Sequence, residues 1–167
     1  MRLLRLDPIC CVVLSCSLSA SDSWILRENG IGPVKIGMSL IQLNTALHAH
    51  FKRPVAKDEQ MCFYVRPKQH PGIAFMIEDG RLSRIDVEKS GVRTDSGIQV
   101  GDLESRVHEV YGKRIVVEEH KYFENGHYLT IRSTDGHSAL RFETNEGKIT
   151  SFYAGTSQAI QYVEGCL

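Results

Sequence analysis

The stretch FMIEDGRLSRI, residues 75–85, decides the fold, and FETNEGKITSF repeats its pattern 67 positions later at residues 142–152. In each, an aromatic residue opens an alternating strand and an acidic residue with a glycine makes a turn, Asp79-Gly80 or Glu146-Gly147. A basic residue, Arg81 or Lys148, then starts the return strand. Such turns between alternating apolar residues predict antiparallel hairpins. A second pair of phrases precedes them: GPVKIGMSL at 32–40 and SGIQVGDLE at 96–104, with Gly37 and Gly101 lying 64 positions apart. A difference of about three residues in mid-unit reconciles the two offsets and points to an internal duplication. The bland alternative is that hairpins reuse one turn chemistry.

In the first half, Ser39 with Gln42 three residues on forms a capping-box pattern, and Leu40, Leu43, Leu47 and Phe51 recur at helical spacing until Pro54. MCFYV, IAFMI and LSRIDV follow as strands. In the second half, Asp102 is the expected N-cap, Leu103, Val107, Val110 and Tyr111 share a helical face, and Gly112 is the stop. RIVVEEHKYF, HYLTIRS, ALRFET and KITSFYA then read as strands separated by turns. The expected fold is α+β: two helix-plus-antiparallel-hairpin repeats, about 31–90 and 96–155, sharing one antiparallel sheet. With a C-terminal tail they make a single domain over 21–167.

Twenty basic residues balance twenty acidic ones, and 42% of the 167 residues are hydrophobic. That supports a packed core and excludes a global field toward nucleic acid or an anionic membrane. Residues 1–20 read as a signal peptide: Arg2 and Arg5, a short apolar run from Ile9 to Leu14, then small residues to Ala20. The run is too short for a bilayer, which needs about twenty apolar residues. Val13, Leu14 and Ser15 before Cys16 resemble a bacterial lipobox, which makes Cys16 a candidate lipidation site and the only expected link to a membrane. Cleavage after Ala20 is the competing reading. Either way the expected location is periplasmic or secreted, with or without a lipid anchor. Cys62 and Cys166 remain for the folded body, where an exported protein is expected to pair them.

The phrase IGMS leading into an amphipathic helix, followed by antiparallel strands and met twice, resembles the tandem units of the beta-lactamase inhibitory protein family. It is more loosely similar to the small outer-membrane lipoproteins of the barrel-assembly machinery. Gly37, Met38 and Ser39 carry the match, while Gly101, Asp102 and Leu103 keep only its glycine. The resemblance implies helices layered on an antiparallel sheet and a binding role, without naming a target.

The densest cluster is EEHKYFENGHYLTIR, residues 118–132. If Asn125 and Gly126 form a two-residue turn, Glu124 faces His127, Tyr122 faces Leu129 and His120 faces Ile131 on one side. Phe123 with Tyr128 and Glu119 with Arg132 then fall on the other. Aromatics and arginine dominate binding hot spots, so His120, Tyr122, Phe123, His127, Tyr128 and Arg132 are the expected partner surface. His120 and His127 would stand two residue pairs apart, too far to share one ion unaided. There is no GxSxG motif and no phosphate-cradling glycine loop. No catalytic residue, metal site or cofactor is assigned. The expectation is an exported, non-catalytic binding protein of the bacterial cell envelope, an inhibitor of or partner to an envelope enzyme. The alternatives are a structural lipoprotein of an envelope assembly and a small metal-dependent hydrolase using His120 and His127.

Overall fold

A computed structural model describes residues 24–56 and 61–166. Residues 1–20, expected to be a signal peptide, lie outside them, and with them Cys16 and Ala20. The chain forms β1 (Ile25–Arg27), β2 (Gly30–Ile31), β3 (Val34–Lys35), α1 (Leu40–Leu47), β4 (Cys62–Val65), β5 (Ile73–Glu78), β6 (Arg81–Val87) and β7 (Arg93–Thr94). It continues with α2 (Glu104–Tyr111), β8 (Ile115–Glu119), β9 (His127–Arg132), β10 (Ser138–Asn145) and β11 (Lys148–Thr156). The architecture is α+β. An antiparallel sheet of seven strands runs β4-β5-β6-β11-β10-β9-β8, and a small sheet of order β3-β2-β1-β7 packs beside it. The small sheet was not legible in SDSWILRENGIG, because strands of two or three residues leave no period to read.

The hairpins β5–β6 and β10–β11 are built alike. Each turns on two left-handed residues, Asp79 (φ 50°) with Gly80 (φ 76°) and Glu146 (φ 49°) with Gly147 (φ 70°). This is the mirror-image turn whose twist suits paired strands and whose backbone favours glycine. Each hairpin also shifts register after the second residue of the quoted pattern, at Met76/Ile77 and at Glu143/Thr144. Gly37 N–H donates to Leu82 O and Leu82 N–H to Met38 O, both at 2.8 Å. In the second half Gly101 N–H donates to Ile149 O and Ile149 N–H to Asp102 O, both at 2.9 Å. The helix-entry phrases are thus main-chain partners of the hairpins, and their glycines serve the turns rather than a ligand.

The helices are shorter than their apolar spacing suggests. Ser39 does cap α1: its hydroxyl accepts from Gln42 N–H while Gln42 Oε1 accepts from Ser39 N–H. The helix ends at Leu47, not near Pro54, because His48 turns left-handed at φ 48°. Phe51 then lies outside it, held by Asn44, whose Nδ2 donates to Phe51 O and whose Oδ1 accepts from Phe51 N–H. In the second half Leu103, not Asp102, is the N-cap of α2. The Asp102 carboxylate instead accepts from Gln99 N–H at 3.0 Å, closing the preceding turn. Of the expected apolar face, Val107 is buried and Tyr111 packs on the core, but Leu103 and Val110 are exposed.

One face of the large sheet carries Phe75, Ile85, Leu129, Ile131, Phe142 and Phe152, and buries them against Leu43 of α1, Val107 of α2 and Leu26, Ile31 and Val34 of the small sheet. The opposite face is covered by the tail after β11, which includes a short 3-10 turn at Ala159–Gln161 and ends with Cys166 bonded to Cys62. No helix among the described residues is long and apolar enough to cross a membrane.

Candidate functional site

The hairpin expected at Asn125-Gly126 takes another register. Glu119 stands opposite His127 and Ile115 opposite Ile131, so residues 120–126 form a loop instead of extending two strands. Local chemistry ends β8 there. The His120 side chain folds back, and its Nδ1 accepts from the N–H groups of Tyr122 (3.1 Å) and Phe123 (3.3 Å), reversing the chain. His120 N–H donates to Gly126 O at 2.9 Å and closes the loop. A Cβ on Gly126 would lie 2.5 Å from Thr144 O, so only glycine lets the loop lie this close to β10. Glu146 N–H donates to Asn125 O, tying the loop to the turn before β11.

On this fixed backbone Tyr122 is 56% and Phe123 41% exposed. Beneath them His120 is buried, stacked on Tyr128 with ring centroids 4.5 Å apart and tilted against Phe123 at 4.5 Å. Tyr128, only 4% exposed, is a supporting residue and not part of the contact surface. Burial pushes its phenol up. The Tyr122 hydroxyl donates to Glu164 of the tail, and Lys121 Nζ lies 3.3 Å from the same carboxylate. The loop is therefore braced by its own histidine, by β10 and by the tail.

Two of the six expected surface residues fall elsewhere. His127 sits on the helix side of the sheet, its Nδ1 3.0 Å from Glu104 Oε1, with Glu104 also accepting from the Thr144 hydroxyl at 2.7 Å. Burial alone raises a carboxyl, but the bonds from Thr144 and His127 prevail and hold Glu104 below the usual range. Arg132 is exposed but closes the far end of β9, about five residues and roughly 17 Å from the loop. His120 and His127 thus face opposite sides of the sheet, not one. Among the described residues no group of three or more His, Cys, Asp or Glu is placed to hold a metal.

Sequence reading passed over a second cluster, on the tail-covered face. Arg84 Nη1 donates to Ala159 O (3.1 Å) and Tyr162 O (2.6 Å), and Arg141 Nη1 donates to Ile160 O (3.0 Å). The two guanidiniums cover the rings of Tyr153 and Tyr128 at 4.6 and 4.4 Å. Arg84 Nε lies 2.9 Å from Asp86 Oδ1, and Glu118 pairs with Arg141. Glu143 accepts from the hydroxyls of Tyr153 (3.0 Å) and Ser151 (3.1 Å) and faces His120 Nε2 at 3.6 Å. A shallow cleft of about 260 Å³ opens here beside Tyr64, Asp86 and Glu143. Burial outweighs the neighbouring Arg84 and pushes the Asp86 carboxyl up to about 6. Burial likewise raises Tyr64 to about 12, and burial with the Glu143 charge raises Tyr153. His120 approaches the Glu143 carboxylate and not the Ser151 hydroxyl, so the cluster does not line up nucleophile, imidazole base and orienting acid. Its donors are directed at tail carbonyls, and it works as a clamp. The signal lay in the alternation: Arg84 and Asp86, like Arg141 and Glu143, sit two apart on strands whose other face is apolar.

No family model matches the chain, and no curated protein matches it. Among solved structures, it is similar to the uncharacterized protein yfeY from Escherichia coli, at 15% identity and TM-score 0.46 over 78% of this chain and 99% of that one. It is also similar to an extracellular protein containing a SCP domain from Bacillus anthracis, at 9% identity and TM-score 0.47 over 75% of this chain and 46% of that one. A third, the DUF4309 family protein YjgB from Bacillus subtilis, shows 13% identity and TM-score 0.43 over 71% and 78%. These are of other kinds than the inhibitory proteins and barrel-assembly lipoproteins that the IGMS phrase resembles. Likenesses this loose carry no argument about activity.

Proposed function

We propose that this is an exported binding protein of the bacterial cell envelope, built from two copies of one helix-and-hairpin unit, which engages a protein partner through the loop at residues 120–126. The observation that carries the binding reading is a loop with exposed aromatic tips and a fixed backbone. Tyr122 and Phe123 offer large apolar area, and the His120, Gly126 and Asn125 bonds hold the loop in shape before any partner arrives. Preorganisation lowers the ordering cost of association, and aromatic residues are the side chains that most often dominate it. Export is supported by the leader pattern and by the Cys62–Cys166 bond, which suits an oxidising compartment. Duplication is supported by the matched turns and helix-entry bonds of the two halves.

A photo-crosslinking residue placed at Phe123 in cells should give one discrete protein adduct, and the same probe at the exposed Ile41 of α1 should not. Against the partner so identified, Tyr122→Ala with Phe123→Ala should weaken binding by about a hundredfold, while Tyr122→Phe should cost far less. Adducts equal at both positions, or full affinity in the double variant, would remove the loop from the interface.

A further inference from the structure

The seven-stranded sheet has two edges, and they are treated differently. At β4 the bond from Cys62 to Cys166 fastens the tail to the strand, and Phe63 and Val65 are buried. At β8, Val116 is 52% and Val117 48% exposed, one on each side of the strand. An uncovered edge with apolar side chains is a template for another strand. Its unpaired groups can be assigned. His120 N–H bonds Gly126 O, and the pairs Glu118 with Tyr128 and Val116 with Thr130 continue that register. Bonded and non-bonded pairs alternate in an antiparallel ladder. Residues 116 and 118 therefore turn their backbone groups to β9, and Val117 and Glu119 turn theirs outward, where no described group meets them.

We propose that β8 pairs antiparallel with β8 of a second copy of this chain, joining two seven-stranded sheets edge to edge about a two-fold axis. The inference rests on the edge and is independent of the loop proposed for the partner. What selects a second copy is the sequence of the edge itself. Lys113-Arg114-Ile115-Val116-Val117-Glu118-Glu119 reads basic, apolar, acidic, so turned end for end it is complementary to itself. With Val116 on the axis, Ile115 stands opposite Val117 of the other copy, and the 3-10 turn at Gly112–Arg114 carries Lys113 and Arg114 to the end of the strand where the other copy's Glu118 and Glu119 lie. The backbone permits this register: each Val117 N–H points outward and donates to the Ile115 carbonyl of the other copy. The Ile115 N–H is already given to Gly112 O, so Val117 supplies the donors. A register one residue away would oppose an outward-facing residue to an inward-facing one and lose these bonds. Arg114 and Glu118 are engaged within the chain, by Glu28 at 3.2 Å and by Arg141. Lys113 and Glu119 have no ion pair among the described residues, and their attraction favours the end-for-end arrangement of the two strands.

Sedimentation of the purified full chain from about 1 μM to about 1 mM, the span a small interface calls for, should show a monomer passing to a dimer. Val117→Pro removes a donor that has no partner within the chain at an edge that tolerates proline. It should abolish the dimer with an unchanged circular dichroism spectrum and melting temperature. Lys113→Glu and Glu119→Lys should each weaken self-association about tenfold, by setting like charges opposite each other twice. An equimolar mixture of these two variants should recover wild-type association as a heterodimer. A monomer throughout the range overturns the proposal, as does a dimer indifferent to Val117→Pro, or a charge-variant mixture no tighter than its components.

Discussion

On one face of the large sheet Phe75, Phe142 and Phe152 pack under two helices, whereas on the other Arg84, Asp86, Arg141 and Glu143 lie under the tail. The difference follows from what covers each. A helix satisfies its own backbone and needs only an apolar surface to lie on. A tail in irregular conformation brings carbonyls that must be met when water leaves, and Arg84 and Arg141 supply those donors. Charges inside that face then need partners of their own, which Asp86 provides for Arg84 and Glu118 for Arg141. The apolar face needs only shape, while the polar one needs every bond and a covalent anchor.

Cutting that anchor is expected to have the largest effect. Cys62 and Cys166 close a loop spanning 104 positions, and replacing both with serine should lower stability by about 4–5 kcal/mol on the chain-entropy account. Hydrogen exchange should rise in residues 157–166 and at β4 before it rises under the helices. Equal rises on both faces would show that the tail is not a separate layer. On the apolar face, Phe152→Ala should cost about 3–5 kcal/mol in urea denaturation, since Phe152 is fully buried and its removal leaves a cavity. A cost under 1 kcal/mol, the range of exposed positions, would contradict that packing.

Asp86 distinguishes the faces by pH. Its carboxyl is pushed up to about 6 in the fold by burial, above the value near 4 of an unfolded chain. Below about pH 4 both states are protonated and the contribution is fully present. As pH rises to about 6 and beyond, the unfolded state ionises first and the fold loses stability, on the order of 3 kcal/mol for this shift. Relative to Asp86→Asn, the wild type should therefore lose ground between pH 4 and pH 7, and a pH-independent difference between the two would show that Asp86 is not raised. The smallest effect belongs to the helix side: Ser39→Ala removes the cap of α1 and should cost about 1 kcal/mol. A melting temperature indifferent to that change would mean the helix is held by Leu43 alone.

The parts of the fold legible in advance were those specified by neighbouring residues. Asp79-Gly80 and Glu146-Gly147 announced their hairpins because a two-residue turn of this kind needs residues that accept left-handed backbone. Ser39 with Gln42 announced α1 because both halves of a capping box lie within four residues. The site was less legible. His120, Tyr122, Phe123 and Tyr128 do come together, but Asn125-Gly126, as good a turn as any by composition, was drawn into a longer loop. His120 accepts bonds from the residues after it, and Gly126 is needed against Thr144. His127 was misplaced by that same shift of register, whereas Arg132 lies too far along β9 to reach the loop.

By itself, then, the sequence determined the strands of the large sheet, the hairpins at Asp79-Gly80 and Glu146-Gly147, the α+β class and the pair of cysteines in the body, because turn residues, caps and alternation act over a few residues. Tertiary structure decided what covers each face and which aromatics reach the surface. It also decided that Arg84 and Asp86 are interior. Those outcomes depend on contacts such as Arg84 to Tyr162 and Asn125 to Glu146. Their partners lie 78 and 21 positions away, beyond the reach of any local pattern.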